Sequence, residues 1–567
     1  MDQITKNLLQ SFVTEQSLEH FPQDEAFEKF AVYSVASSEH SDEFNIEDLH
    51  VGGGNDTGID GLAVIVNGRL VTEEEEIEDL INMNRYLDVS FVLVQAKTSR
   101  HFDSKDIGQF FFGVKDFFAA TPTLPRNEAI QAAGKIKDKI FESSSYLTKG
   151  NPDCKLYYVT TGRWNNEQAL IARIEAEKDD LKSLSIFDAV EFFPVDASQI
   201  QRLYKSTKTR ASATIYFENH VTLPDISGVR EAYLGVLPGA EYLKIITDDV
   251  GNVRKSLFYD NVRDFQGDNP VNQSIVRTIE EGELDSFAIR NNGVTIVAKF
   301  LNKVGNKFSI EDYQIVNGCQ TSHVLYNVRS MVKEGLQVPI KLIVTEDENV
   351  TNAVITASNN QTPVKAEDLQ ALSSFQKTLE DYYGTFDEDK MLHYERRSKQ
   401  YADAPGIEKV RIISIGNQMR YFAAMFLDEA HRAGRYPATL LKQIGDKIFV
   451  EDHRPDPYYT SAYAAYKLEW LFRNSTLDRK HRIFRYHVLM AVRHMLQPEA
   501  PPHFNSRRIE GYCARINEAL WDPIPVQNAF ERATALVEDT INQHGFDAKR
   551  DTAKTQSFRD AVLEKIS

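Results

Sequence analysis

Four side chains near the start of the chain have the types and spacing for metal-assisted hydrolysis: Glu28, Asp60, Gln95 and Lys97. The stretch "FVLVQAK", Phe91 to Lys97, reads as a strand. Period-two alternation then puts Phe91, Leu93, Gln95 and Lys97 on one face and Val92, Val94 and Ala96 on the other. Gln95 and Lys97 therefore point the same way at the strand's C-terminal end. An earlier strand, "GIDGLAVIV", begins with Asp60. A hairpin-like pairing of the two strands places Asp60 beside Gln95 and Lys97. One carboxylate, one amide oxygen and one ammonium then converge.

That set suits phosphodiester chemistry. Asp60 and the Gln95 oxygen are hard oxygen donors of the kind Mg²⁺ takes. Lys97 can orient or help deprotonate a water and counter negative charge growing on phosphorus. A fourth group comes from the helical pattern "DEAFEKFAVYSVA", in which Phe27, Phe30, Ala31, Val32 and Val35 share an apolar arc. Glu28 falls inside that arc, and Glu25 lies at its margin. A carboxylate on a buried face needs a partner, and a metal is one. The plain alternatives are a turn-forming Asp60 in "GIDG" and a Lys97 that snorkels from a strand edge.

The pair "GIDGLAVIV…FVLVQAK" resembles the bipartite signature of restriction-endonuclease-like nucleases, the PD-(D/E)xK superfamily, in its branch with glutamine at the acidic position. The resemblance implies a Mg²⁺ site, with Mn²⁺ able to substitute. It puts the metal-binding aspartate on Asp60, the acidic position on Gln95, the lysine on Lys97 and the first-helix glutamate on Glu28. The segment Thr72 to Ser90 is longer than usual between the two motif strands and reads as an insertion. Asp56, in "GGGNDTGID", is the fallback ligand.

These residues need a frame, and the chain has room for several. At 567 residues it exceeds a single core, and its 42% hydrophobic content is that of globular domains. No apolar run is long enough to cross a bilayer, and the N-terminus lacks the pattern of a secretory signal. Cys154, Cys319 and Cys513 are too far apart in sequence for a disulfide framework or a CxxC zinc site. The expected location is cytoplasmic, with no membrane partner. A formal charge of −18 argues against coating nucleic acid with the whole surface, although a local basic channel is compatible with it. Cations cluster in "RLYKSTKTR", "HYERRSKQY" and "RNSTLDRKHRIFRYHVLMAVRH", which read as solvated helix faces. The acidic run "TEEEEIEDL" reads as a solvated connecting helix or loop.

Texture divides the chain into 1–212, 213–370 and 371–567. The first part alternates helical patterns with "GLAVIVNG", "SFVLVQAK", "CKLYYVTTG" and "DAVEFFPV", as an α/β sheet does. The second has the strand-like runs "EYLKIIT", "GVTIVAKFL", "DYQIVNG" and "PIKLIVTE", punctuated by Asn-Gly and Asn-Asn pairs. The third is mostly helical. In it His481, His487 and His494 lack the spacing of a zinc helix, and His453 sits in a turn-rich loop.

The middle part carries an Asn-Val-Arg segment at Asn261 to Arg263, an Asn-Asn-Gly turn at Asn291 to Gly293, and "IVNGCQT" at Ile315 to Thr321. An amide-rich "SNNQ" follows at Asn359 to Gln361. These resemble the abortive-infection phage-resistance family, AIPR, over about 230–370 and more weakly beyond. Members of that family often carry a restriction-endonuclease-like domain in front. The amide motifs read either as turn and cap chemistry, with Gln320 and Thr321 starting a helix, or as a nucleic-acid pocket formed by Arg263, Asn292, Asn317 and Gln320. Arg396, Arg397, Lys399, Arg482 and Arg485 are further candidates for a DNA channel or a dimer face. Cys319 has no paired His–Asp signature and is not expected to be a nucleophile.

The expectation is therefore an α/β multidomain protein: a restriction-endonuclease-like nuclease domain, a mixed α/β AIPR domain and a helical C-terminal region. Its expected activity is Mg²⁺-dependent cleavage of nucleic acid, double-stranded DNA first, in antiphage defence, as a homodimer by analogy and with a phage-encoded trigger. The alternatives are an inactive nuclease fold that binds nucleic acid or senses phage, and an RNase.

Overall fold

In the computed structural model, residues 1–566 are described except 41–43, 209–210, 248–250, 252, 255–256, 259–269, 283, 334, 360–373, 397–399, 402–406 and 436. The first sheet has the order β2-β1-β3-β4-β5, built from β1 Gly61–Val66, β2 Arg69–Val71, β3 Val89–Lys97, β4 Asp153–Thr160 and β5 Val190–Val195. β1 runs antiparallel to both β2 and β3, while β3, β4 and β5 are parallel. Helices cover both faces, so the central strands are apolar on both sides. On one face α1 Gln3–Glu15, α2 Gln23–Glu39 and α7 Ala197–Ser206 pack on Ala63, Ile65, Val92, Val94 and Val159. On the other, α4 Ser104–Phe118, α5 Glu128–Glu142 and α6 Gln168–Lys182 pack on Leu62, Val64, Phe91, Leu93 and Leu156. Each large apolar side chain buried in this way contributes roughly 1.5–3 kcal/mol.

α2 departs from the amphipathic reading. Apart from Glu28, every residue from Ala26 to Ala36 is buried, so the helix is enclosed nearly all round. It meets the start of β1 with no clearance: a Cβ on Gly61 would lie 2.3 Å from Val32 Cγ2. Glycine at this position lets the helix that carries Glu28 approach the strand that follows Asp60.

The second sheet has the order β6-β10-β9-β11-β8-β7, from β6 Ser212–Tyr216, β7 Asn219–Thr222, β8 Glu231–Pro238, β9 Val294–Val304, β10 Lys307–Asn317 and β11 Gln337–Val344. β9 and β10 pair as a long antiparallel ladder, and β11 lies parallel to β9. "EYLKIIT", expected as a strand, falls in α8, Gly239–Ile246, because Tyr242, Ile245 and Ile246 recur at helical spacing on the core side. Beyond it come α9 Pro270–Glu280, α10 Phe287–Arg290, α11 Cys319–Asn327 and α12 Glu348–Asn359. The rest is mainly helical, around an aromatic-rich core that includes Phe422, Tyr458, Tyr459 and Tyr463. All three cysteines are buried and unbridged. Among the described residues no helix is long and apolar enough to cross a membrane.

The acidic run is not solvated as expected, and neither is much of the last basic island; each meets charges from distant parts of the chain, whereas Arg202 and Lys205 of the first island are exposed as expected. Residues of Thr72 to Leu80 lead into α3, Glu75–Asn84, where Glu73, Glu76 and Asp79 are buried. Arg550 reaches Glu73 at 3.3 Å, Lys554 reaches Glu75 at 2.6 Å, Arg420 lies 3.9 Å from Glu76, and Arg435 lies 3.7 Å from Asp79. Nearby, Arg482 bonds Asp48 and Glu469 at 2.9 Å each, Arg479 lies 3.6 Å from Glu47, and Arg473 donates to the Gln16 carbonyl at 3.1 Å. The two regions therefore share a charged seam. A cavity of about 170 Å³ opens along it, where acidic neighbours already answer Arg420 and Arg482.

Two stability measurements follow. Gly61→Ala should lose about 1–3 kcal/mol in denaturant melts, through forced displacement of α2. Arg482→Ala, which leaves Asp48 and Glu469 without their shared donor, should lose about 1–3 kcal/mol. Lys480→Ala, two residues earlier and exposed, should melt like the parent protein.

Candidate functional site

The β1–β3 register sets Gly61 opposite Val94, so Asp60 stands opposite Gln95, one step beyond β1. The Asp60 N–H donates to the Val94 carbonyl at 2.9 Å, extending the ladder to that point. Its Oδ2 accepts from the Ala96 N–H at 2.7 Å and from the Gln95 side-chain amide in a short contact. The loop before it is closed by Val51 N–H donating to the Asp60 carbonyl at 2.9 Å. Asp56 shapes that loop, accepting from Gly58 N–H at 2.8 Å and Gly54 N–H at 3.4 Å. The fallback ligand is thus occupied as a turn former.

Glu28 reaches the same corner from α2. Its charge acts on Asp60, and those of Lys97 and Asp56 act on both carboxylates. Asp60 is 4% exposed, and burial, reinforced by Glu28, pushes its carboxyl up to about 7. The Ala96 N–H and Lys97 oppose the shift. Glu28 is raised as well, first by burial, with Lys97 pulling the other way. Lys97 is half-buried, and among the described residues its ammonium has no hydrogen bond or ion pair. Glu28, Asp60, Gln95 and Lys97 are therefore brought to one place.

Three residues were invisible to motif reasoning. Lys29, fully buried beside Glu28, donates to Glu47 at 3.0 Å and contacts His50 Nδ1 at 3.1 Å. An ammonium can only donate, so Nδ1 accepts and Nε2–H faces Glu28 Oε2 at 3.3 Å. Burial, then the charge of Lys29, takes His50 down to about 4, so the imidazole is neutral near pH 7. Burial would raise Glu47, yet Lys29, Arg479 and Arg482 hold it down at about 2. Glu28 is thus oriented by a string of polar contacts. The one sequence signal was a histidine directly before "VGGG".

The implied Mg²⁺ has a donor set of suitable chemistry. Two carboxylates raised by burial and by neighbouring negative charge are relieved by a dication. Among the described residues no group of three or more His, Cys, Asp or Glu could hold a metal, so any protein oxygen added to the two carboxylates would be a neutral one, such as that of Gln95. Its amide now turns N–H toward Asp60, and presenting oxygen instead requires a half-turn of that group.

The middle motifs collect at one end of the second sheet. Gly293, at φ +78°, leads into β9, and Asn317 pairs with Thr295 at the end of β10, beyond a register shift. Asn292 is exposed there, and Gln320 lies in the first turn of α11. The cap of that helix is Gly318, at φ +104°, rather than Gln320 or Thr321. Asn261 to Arg263 and Asn360 and Gln361 lie outside the described residues, as do Arg397 and Lys399, and the side chain of Asn359 is not described. Arg396 is 8% exposed and bonds Glu380. Among the histidines, His453 meets the Tyr458 hydroxyl at 2.9 Å, His494 meets Asp428 at 2.9 Å, and His487 is buried beside Phe558.

The model of the family described as AIPR protein matches residues 258–544, slightly more than half of the chain. The chain belongs to the AIPR family. The match begins later than the motifs suggested and takes in most of the helical region; the strands and helices around Asp60 lie before it. No curated protein and no solved structure matches the chain.

The Asp60 shift has a measurable sign. Below pH 4 folded and unfolded chains both hold the proton. Between about 4 and 7 only the folded chain does, so stability falls as pH rises. Asp60→Asn should therefore be more stable than the parent at pH 8, by about 2–4 kcal/mol, with the gain vanishing below pH 4 in thermal melts.

Proposed function

We propose that this AIPR protein is a metal-dependent nuclease of antiphage defence, cutting phosphodiester bonds at the Asp60–Lys97 corner. The observation that carries the reading is the pairing of β1 with β3, which sets Asp60 against Gln95 while Lys97, among the described residues, stands without a hydrogen bond or ion pair beside them. The arrangement of the first sheet, helix-covered on both faces, agrees with a restriction-endonuclease-like fold.

Asp60 and Glu28 would hold Mg²⁺ or Mn²⁺, with the Gln95 oxygen completing the protein's share. Such an ion polarises a phosphoryl oxygen and acidifies water. Lys97 does the chain's own work: its ammonium holds the attacking water and counters charge growing on the phosphate oxygens. Neutral His50 keeps Glu28 pointed at the corner. DNA is the first substrate to test, and a homodimer would supply two cuts. The family membership is what supports a role in abortive infection.

A second reading has its own observation. The Gln95 amide now binds Asp60 through N–H, and an amide is a weaker ligand than the carboxylate it replaces. The site would then be inactive and the protein a nucleic-acid-binding sensor. Plasmid, single-stranded DNA and RNA incubated with Mg²⁺ decide between them. Cutting should appear and fall roughly 10²–10⁴-fold in Lys97→Ala. Undiminished cutting in that variant would remove the site assignment, and no cutting of any substrate by the parent protein would favour the sensor.

A further inference from the structure

The exits of β3 and β4 form a surface that the site itself does not use. The two strands are parallel, with Lys97 opposite Thr160, so their C-terminal ends open side by side. In open α/β sheets that edge is where ligands sit. Three residues beyond Lys97 comes Arg100, and three beyond Thr160 comes Arg163, both exposed. Among the described residues neither guanidinium has a hydrogen bond or ion pair, and Lys105 at the start of α4 has no side-chain partner either. Other exposed arginines, Arg202 and Arg515 among them, also have no such partner among the described residues, so what sets Arg100 and Arg163 apart is their place at the strand exits. The nearby carboxylates Asp103 and Asp196 are already committed, capping α4 and α7.

The two loops are fixed against each other. The Thr161 N–H donates to the Ser99 carbonyl at 3.1 Å, and its hydroxyl donates to the Thr98 carbonyl at 2.9 Å. A Cβ on Gly162 would lie 2.0 Å from the Arg100 carbonyl oxygen, so the backbones touch with nothing between them. The Ala197 N–H ties Gly162 to the start of α7 at 2.9 Å. Next to these cations Trp164 stands half-buried, packed edge to face on Phe102 at 4.8 Å, with its Nε1–H held by Asn166 at 2.7 Å. Two unclaimed guanidinium groups on rigid loops and an aromatic plane beside them are the components of a single-strand grip. Phosphates meet the cations, and an unpaired base stacks on the ring.

We propose that Arg100, Arg163 and Trp164 hold an unpaired nucleic-acid strand across the candidate site. The substrate class is then a single strand, or a duplex with a gap, flap or frayed end, rather than intact duplex. The inference rests on the reading of the Asp60–Lys97 corner as a phosphodiester site, but its test does not depend on cutting.

Binding is measured in EDTA by tryptophan fluorescence and anisotropy, with a single-stranded oligodeoxynucleotide, the matching oligoribonucleotide and the duplex. Single strands should bind at least tenfold more tightly than duplex, and the two single-strand arms tell DNA from RNA. Arg100→Ala/Arg163→Ala should weaken single-strand binding tenfold or more, and should reduce the slope of log K against log salt by about 1.4, at about 0.7 per lost phosphate contact. Its thermal melt should match the parent's, because both side chains are exposed. Quenching on binding should vanish in Trp164→Phe, whose remaining tryptophans are Trp470 and Trp521. Equal duplex affinity, an unchanged salt slope in the double variant, or quenching that survives Trp164→Phe would overturn the proposal. A parent protein that binds in this way but never cuts with Mg²⁺ would leave it standing and remove the nuclease reading instead.

Discussion

The architecture depends on the meeting of opposite charges at the edge of the first sheet. An acidic segment around α3 and the loop near Asp48 faces arginines and lysines supplied some 340 to 480 residues later in the chain. Single surface ion pairs contribute little. Here several are half-buried and share partners, as Arg482 does between Asp48 and Glu469. A guanidinium between two carboxylates is costly to vacate, because both are left desolvated. The seam therefore fixes where the helical region rests on the sheet domain. It also claims several arginines that the sequence alone would leave to solvent.

The corner at Asp60 has a different electrostatic character. Among the described residues, Lys97, Arg100 and Arg163 stand without ion pairs near the strand exits of a chain of formal charge −18. Lys97 is left to face two carboxylates without bonding either, and Arg100 and Arg163 face solvent. Long-range attraction of a polyanion by the whole molecule is excluded by its net charge. Any grip on nucleic acid has to be local and short-ranged, and hence strongly weakened by salt.

What the sequence revealed was governed by local periodicity. The alternation in Phe91 to Lys97 gave the faces of β3 correctly, with Phe91 and Leu93 on one core and Val92, Val94 and Ala96 on the other. The opposition of Asp60 and Gln95 followed from pairing two such strands. Lys29 and His50 were missed because their partners arrive across irregular chain, where no repeat predicts contact. The acidic run was misjudged for the same reason on a larger scale: a charge pattern does not say which distant segment will neutralise it. In α2 the helical projection assumed one wet face, and the fold enclosed almost all of it. The start of α11 was displaced by a backbone preference: Gly318 adopts a left-handed cap that side-chain chemistry at Gln320 and Thr321 did not announce.

The contact between Gly61 and Val32 carries no charge and takes part in no reaction, yet it fixes how deeply α2 seats on the sheet. Two positions that exclude each other's bulk are expected to drift together over evolutionary time. A relative with alanine at the position of Gly61 should carry a smaller residue than valine at the position of Val32, and one with isoleucine there should keep the glycine. The acidic corner would then be inherited along with a packing pair that no survey of reactive residues would select.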